Sequence, residues 1–280
     1  MISVEGLILE SHDLWIFKHV AELQSISRAA EKLGYVQPNI SQRIKSLEEE
    51  LGVKLLERNN RGVTLTEDGK ILLNYTNQIM MLMDEAKSKL NPKRWRESLI
   101  IGAPQTISAV KVPRLLASFL QSNHNINVKV KTANKLQLQE MLAYGEADGI
   151  FISTPYNDSQ FESAYHYFED IVLISSNEQQ QPTLLVNSDP SCIYRNKLFD
   201  FAEKQNWIQP AIMEFDSLES MLQAVHAGLG ISILPADVIE RTKAIHHQKL
   251  QHKMKIDFIM KRGKQRSQSL EKFILFLKEL

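Results

Sequence analysis

Across the N-terminal third of the chain, apolar positions recur at helical spacing in short bursts punctuated by glycine and proline. The densest pattern begins at Ser27, where Ala29, Ala30 and Leu33 give one short helix a small apolar inner face. Ile40, Ile44, Leu47 and Leu51 give a second helix its own inward stripe. Ser25 or Ser27 suits the cap of the first helix, Gly34 supplies the backbone freedom needed at its end, and Pro38 suits the first turn of the second. Two short helices joined by a glycine turn are the sequence form of a helix-turn-helix. A longer stripe follows, with Ile71, Leu72, Tyr75, Ile79, Leu82, Met83 and Ala86 on one face of a helix expected over residues 67–90. Thr66, Glu67 and Asp68 form its capping signal, since acidic groups in a first turn complement the helix dipole. So long a stripe beside a small domain needs a partner, and a second copy of the same helix is the expected one.

Beyond this helix the pattern changes. Residues 91–98 carry Pro92 and the charges Lys93, Arg94 and Arg96, which break periodicity and mark a hinge whose Trp95 is expected to pack against a neighbouring domain. Short apolar runs then alternate with amphipathic ones. Strands are predicted at 99–102, 128–130, 149–152 and 171–174, with helices over 112–121 and 136–143. A second set comprises strands at 183–186, 211–213 and 230–235 with helices over 194–204 and 218–227. A strand at 255–260 and a final helix over 269–280 return to the first set. This is an α/β alternation, and two such subdomains joined by crossover strands enclose a cleft where small ligands bind.

Composition narrows the class. A chain of 280 residues with 43% hydrophobic content holds two or three domains with substantial cores. No run approaches the roughly 18 apolar residues of a membrane helix, and no basic-then-apolar leader opens the chain. A lone cysteine, Cys192, cannot close an internal disulfide, which fits a reducing cytoplasm. The 33 basic and 33 acidic residues cancel, and between residues 28 and 64 seven basic residues face five acids, so bulk attraction to nucleic acid is weak. The second helix nevertheless carries the chemistry of base and phosphate contact. Gln37 and Asn39 suit adenine, Arg43 suits guanine or phosphate, and Ser41, Gln42 and Lys45 lie on the same exposed arc.

The runs Phe17 to Glu22, Ser27-Arg28-Ala29-Ala30, Gln37-Pro38, Leu51 to Arg58 and Leu65 to Gly69 resemble the DNA-binding domain of the LysR-type transcriptional regulators. The stretches 144–150, 191–195 and 215–235 are similar to the same family's C-terminal domain, more loosely between residues 158 and 181. The resemblance implies a winged helix-turn-helix over residues 1–66, a dimerisation helix over 67–90, a hinge over 91–98 and an effector-binding domain over 99–280. The last would be similar in fold to periplasmic solute-binding proteins, with one subdomain at 99–175 and 254–280 and the other at 176–253. DNA contacts are then expected from Arg28, Gln37, Pro38, Asn39, Ser41, Gln42, Arg43, Lys45 and the wing residues Arg58 and Arg61. The implied partners are double-stranded DNA as an A/T-rich interrupted palindrome, RNA polymerase, and further copies of the chain in a homodimer or homotetramer. A solute-binding protein with the same C-terminal fold and no transcriptional role is the alternative.

The effector site is expected where strands end. Thr106, Ile107 and Ser108 follow the first strand at the head of a helix, where hydroxyls and unpaired N–H groups favour an anion such as a carboxylate. Asn134 and Lys135 follow the second strand, while Asp216 and Ser217 precede the helix before Gly228-Leu229-Gly230. Arg195 is expected to pair with an acidic neighbour in preference to a ligand. Cys192 has no partner thiol, so a structural cysteine is the simpler reading. His246, His247 and His252 lack the spacing of a metal site and read as a charged surface loop, so neither metal nor cofactor is expected. No phosphate-binding glycine loop, Gly-x-Ser-x-Gly elbow or His-Glu-x-x-His motif occurs, which argues against an enzyme.

Overall fold

The computed structural model describes residues 9–59, 62–91, 94–154, 156, 159–176, 182–241, 246–263 and 266–280. The chain divides into two compact units, residues up to Trp95 with Ala143–Glu146, and Arg96–Leu142 with Ala147–Leu280.

The first unit opens with helix α1 (Ser11–Leu23), which lies outside the helices that the apolar pattern predicts. The helix-turn-helix follows as α2 (Ile26–Leu33) and α3 (Gln37–Leu51). Of the two candidate caps, Ser25 accepts the hydrogen bond from Arg28 N, and Gly34 closes α2 at φ 72°. The inward residues of α2 and α3 meet Phe17 and Val20 of α1 in one core that includes Ala29, Ile40, Ile44 and Leu47. Strands β1 (Leu56–Asn59) and β2 (Gly62–Leu65) then pair as an antiparallel wing. Helix α4 runs over Glu67–Leu90, capped as expected by Thr66, whose Oγ1 accepts from Gly69 N at 2.9 Å. Trp95 is 42% exposed, with the Lys87 ammonium 5.3 Å from its ring centre.

The turn between α3 and the wing is held by Glu48, a carboxylate only 9% exposed. Its Oε1 accepts from Leu55 N at 2.9 Å and Leu56 N at 3.2 Å, and its Oε2 meets Lys54 Nζ at 2.9 Å. Burial presses this carboxyl upward, but the Lys54 ammonium and the two N–H groups more than offset it, leaving it below the usual carboxylate range.

The second unit is built on one eight-stranded sheet. Strands β3 (Glu97–Ala103), β4 (Ile126–Thr132) and β5 (Gly149–Ser153) are parallel and alternate with α5 (Gln105–Ser122) and α6 (Lys135–Ala143). Strands β7 (Leu184–Asn187), β8 (Ile212–Phe215) and β9 (Ile231–Pro235) form a second parallel set with α7 (Ile193–Lys204) and α8 (Leu218–His226). Between the sets lie two long antiparallel strands, β6 (Phe161–Ser175) and β10 (His246–Lys261). The order is β4-β3-β5-β10-β6-β9-β7-β8, and α9 (Gln268–Lys278) packs into the core of the first set.

Two expectations change here. Residues 246–254 are not a loop. They extend β10, so that His246, His247 and His252 stand exposed along a strand paired with β6. Ion pairs from Lys249 and Lys253 to Asp170 and the backbone ladder hold this segment, with Leu250 and Met254 packed against the core of the second set. Helix α5 also begins at Gln105, well before the predicted start, with Pro113 inside it and exposed. The Gly228-Leu229-Gly230 motif turns the chain from α8 into β9. Gly228 takes φ 76°, and a Cβ on Gly230 would stand 2.1 Å from Thr183 O.

Candidate functional site

The first candidate surface is the N-terminal half of α3. Burying Ile40 and Ile44 leaves Gln37, Pro38, Asn39, Gln42 and Lys45 exposed and Ser41 half-buried on the opposite arc. Several of these side chains are already oriented. Ser27 Oγ donates to Gln37 Oε1 at 3.0 Å, which holds the first side chain of α3 against α2. Gln42 Nε2 reaches Ser46 Oγ at 3.5 Å, and Lys45 pairs with Glu49 at 3.3 Å in the open. Arg28 turns back to the Leu23 carbonyl. Arg43 Nη1 meets Asp13 Oδ1 at 2.6 Å, and that hydrogen bond, with the carboxylate's charge, raises the guanidinium's affinity for its proton. Asp13, an acidic residue in the first turn of α1, is thus an unanticipated tie between α1 and α3. Arg58 stands exposed on β1, while Arg61 lies outside the described residues.

The second candidate is a cavity of about 200 Å³ at the C-terminal ends of the parallel strands. It gathers Thr106, Ile107, Asn134, Lys135 and Asp216, while Ser108 and Ser217 fall outside its lining. Ser217 caps α8 by accepting from Ser220 N, and Ser108 Oγ donates to the Ala103 carbonyl at 3.0 Å. Asn134 caps α6, its Oδ1 accepting from Gln137 N at 2.9 Å, yet it also faces the cavity. Ile107 is buried in the core, so its main-chain N–H is what it can offer a ligand. Helix α5 has no side-chain cap, because its N-cap residue is Pro104.

Residues that the strand-end argument passes over complete the cavity. Gln105 bridges the two parallel sets: its Nε2 donates to Asp216 O at 2.8 Å, and its Oε1 accepts from Leu218 N at 3.1 Å. Its place directly after the turn at Pro104 is the only local signal for it. Lys135 donates to Ser153 O at 3.2 Å, and burial lowers its pKa. On the other side, Asp189 accepts from Ser191 N and Oγ, and Asp216 accepts from Ser188 Oγ. Cys192 precedes α7 at the wall, its thiol pushed up by burial. Arg195 pairs with Glu214 at 2.7 Å and donates to Asn187 O at 2.8 Å.

Behind the wall, Tyr194 donates to Glu169 Oε1, joining the cavity to β6. Burial pushes Glu169 up to about 7, with Asp237 adding to the effect and the Tyr194 hydroxyl and Lys111 ammonium opposing it. Tyr167 lies beside them, with Lys111 Nζ 4.8 Å from its ring centre.

Both units match known proteins. The description "Bacterial regulatory helix-turn-helix protein, lysR family" covers residues 11–70, and "LysR substrate binding domain" covers residues 92–280. The HTH-type transcriptional regulator YusT of Bacillus subtilis is 37% identical over 95% of this chain and 94% of its own length. YofA, an HTH-type transcriptional regulator of the same organism, is 34% identical over 86% and 87%. Among solved structures, a cysteine-substituted full-length OxyR of Pseudomonas aeruginosa aligns over 98% of this chain and 96% of its own, with TM-score 0.72 and 19% identity. Full-length CbnR in complex with its target DNA aligns over 97% and 99%, with TM-score 0.66 and 22% identity. At such identities the structures speak for the fold, and the sequence relatives and domain matches speak for the family. The chain belongs to the LysR family of transcriptional regulators, with a DNA-binding helix-turn-helix and an effector-binding domain.

Proposed function

We infer that this regulator works in the cytoplasm as a homodimer, or a pair of dimers, on an A/T-rich interrupted palindrome. Its effector occupies the cavity at the strand ends. The observation that carries the DNA reading is the outward arc of α3, where Gln37, Asn39, Gln42 and Lys45 stand exposed opposite the buried Ile40 and Ile44. Ile71, Tyr75, Leu82 and Met83 are exposed along α4 and supply a face for a second copy of that helix. Two copies related by a two-fold axis place two α3 helices on half-sites separated by whole helical turns. Arg28, Arg43 and Arg58, with Arg61, serve phosphate or groove contact; for Arg43 this requires sharing its guanidinium with Asp13. On the effector side, Thr106, Ile107 and Lys135 receive the anionic group, with Asn134, Ser108, Asp216 and Ser217 setting the helix ends around it. An effector that prefers one arrangement of the two parallel sets shifts the spacing of paired DNA domains and thereby the contact with RNA polymerase.

The test is selection of genomic fragments by the purified protein at stated salt, followed by sequencing. Enrichment of a two-fold-symmetric site is the expected result, and no enrichment at any salt overturns the reading. Gln37→Ala is expected to lose roughly 1–3 kcal/mol of discrimination at one base position. Equal losses on the selected site and on random DNA would remove Gln37 from base readout.

A further inference from the structure

Within the helix-turn-helix, the exposed large apolar side chains are Tyr35 and Val36, at 36% and 62%. An exposed valine is ordinary on a protein surface, and what sets Val36 apart is its position. It is the N-cap of α3, extended at φ -83° and ψ 142°, immediately before Gln37. An N-cap hydroxyl or amide accepts from the first free N–H groups of its helix, as Ser25 does for α2 and Thr66 for α4. Valine offers no such acceptor, and α3 has no side-chain cap. Val36 therefore neither caps its helix nor fills the core beneath it. A residue that departs from the local rule on a functional surface, with no structural return, points to a role outside the folded chain.

The turn that carries Val36 is held on both sides. The Tyr35 hydroxyl stands 3.2 Å from His12 Nε2, Tyr35 N donates to Ala30 O at 2.9 Å, and Val36 O accepts from Asn39 N at 3.0 Å. A β-branched side chain has few χ1 rotamers, so little freedom remains to be lost on contact. Gln37 beside it is engaged by Ser27, and Pro38 is exposed in the first turn. The N-terminal residues of a recognition helix are the ones that reach base edges in the major groove, where thymine carries a methyl group that the other bases lack.

Resting on the DNA reading above, we propose that Val36 reads a thymine methyl beside the bases reached by Gln37 and Asn39. The contact is apolar, so it supplies a discrimination that the polar arc of α3 cannot. Deoxyuridine keeps thymine's hydrogen-bonding edge and lacks only the methyl, which makes it the probe that isolates this contact.

The experiment uses the full-length protein and the site returned by genomic selection, as duplexes in which each thymine of one half-site is replaced in turn by deoxyuridine. Affinities are measured by fluorescence anisotropy at fixed salt. Wild type is expected to lose roughly fourfold at one thymine, the weight of one buried carbon. Val36→Ala is expected to bind the thymine and deoxyuridine duplexes equally there. Val36→Ser is the second variant. Its hydroxyl supplies the missing cap, so the unfolding midpoint is expected to rise while the thymine preference disappears, a divergence that a merely structural valine would not give. Silence at every thymine, or the same preference in wild type and both variants, overturns the proposal. Failure of the selection itself fells the DNA reading, whereas a selected site with silent methyls leaves that reading standing and removes Val36 from it.

Discussion

Glu48 shows how one side chain couples the reading helix to the wing. Its carboxylate closes two main-chain N–H groups at the start of β1 and holds Lys54 beside them, so the end of α3 and the first wing strand share one anchor. Glu48→Gln removes the charge and leaves one acceptor for three donors, and the expected loss is roughly 1–3 kcal/mol in denaturant unfolding. The pH dependence has a definite sign. A carboxyl whose folded pKa lies below its ordinary 4.5 adds stability above that value and loses it as pH falls through the folded one. Wild type should therefore lose stability more steeply than the glutamine variant below pH 4.5, and parallel acid profiles would show that Glu48 contributes no charge-dependent term. Ser27 acts at the same scale on the DNA face. By engaging Gln37 Oε1 it directs which donor and acceptor atoms that side chain presents outward.

At the scale of elements, the turn between α8 and β9 depends on atoms that are absent. A methyl at Gly230 would meet the Thr183 carbonyl at 2.1 Å, and that carbonyl already accepts from Ile231 N. Gly230→Ala is expected to cost at least the roughly 1–3 kcal/mol typical of overpacking, read as a lowered unfolding midpoint. A variant as stable as wild type would mean that β7 and β9 separate more easily than their packing implies. Elements whose signals are local were legible in the sequence: the Gly34 turn, the Thr66 cap, the stripe on α4 and most of the short parallel strands. The extensions of β6 and β10 were not, because polar and charged residues interrupt their apolar positions and the strands exist through pairing between residues far apart along the chain. The site divides in the same way. Thr106, Asn134 and Lys135 follow from their places after strands, whereas Gln105, Asp189 and Tyr194 become site residues only when distant strand ends converge.

For the whole effector domain, the buried Glu169–Tyr194 pair ties stability to pH near neutrality. Burial is the main cause of the raised carboxyl, and Asp237, Lys111 and Tyr167 are the groups around it. The unfolded carboxyl titrates near 4.5 and the folded one at about 7, so the folded chain holds an additional proton between those values. Stability is then expected to fall as pH rises across that interval, and Glu169→Gln should flatten the fall. Denaturant midpoints at about pH 5 and about pH 7.5 check this, and an identical slope in the two proteins would sink it. The paired strands β6 and β10 set a further limit on how this domain moves. They form a long hydrogen-bonded ribbon between the two parallel sets, with register irregularities between Lys249 and Lys253 and between Phe258 and Ile259. Such a ribbon joins the two sets along its whole length and not at a single residue. Any opening or closing of the cavity would then be spread as twist along the ribbon and not concentrated at one pivot.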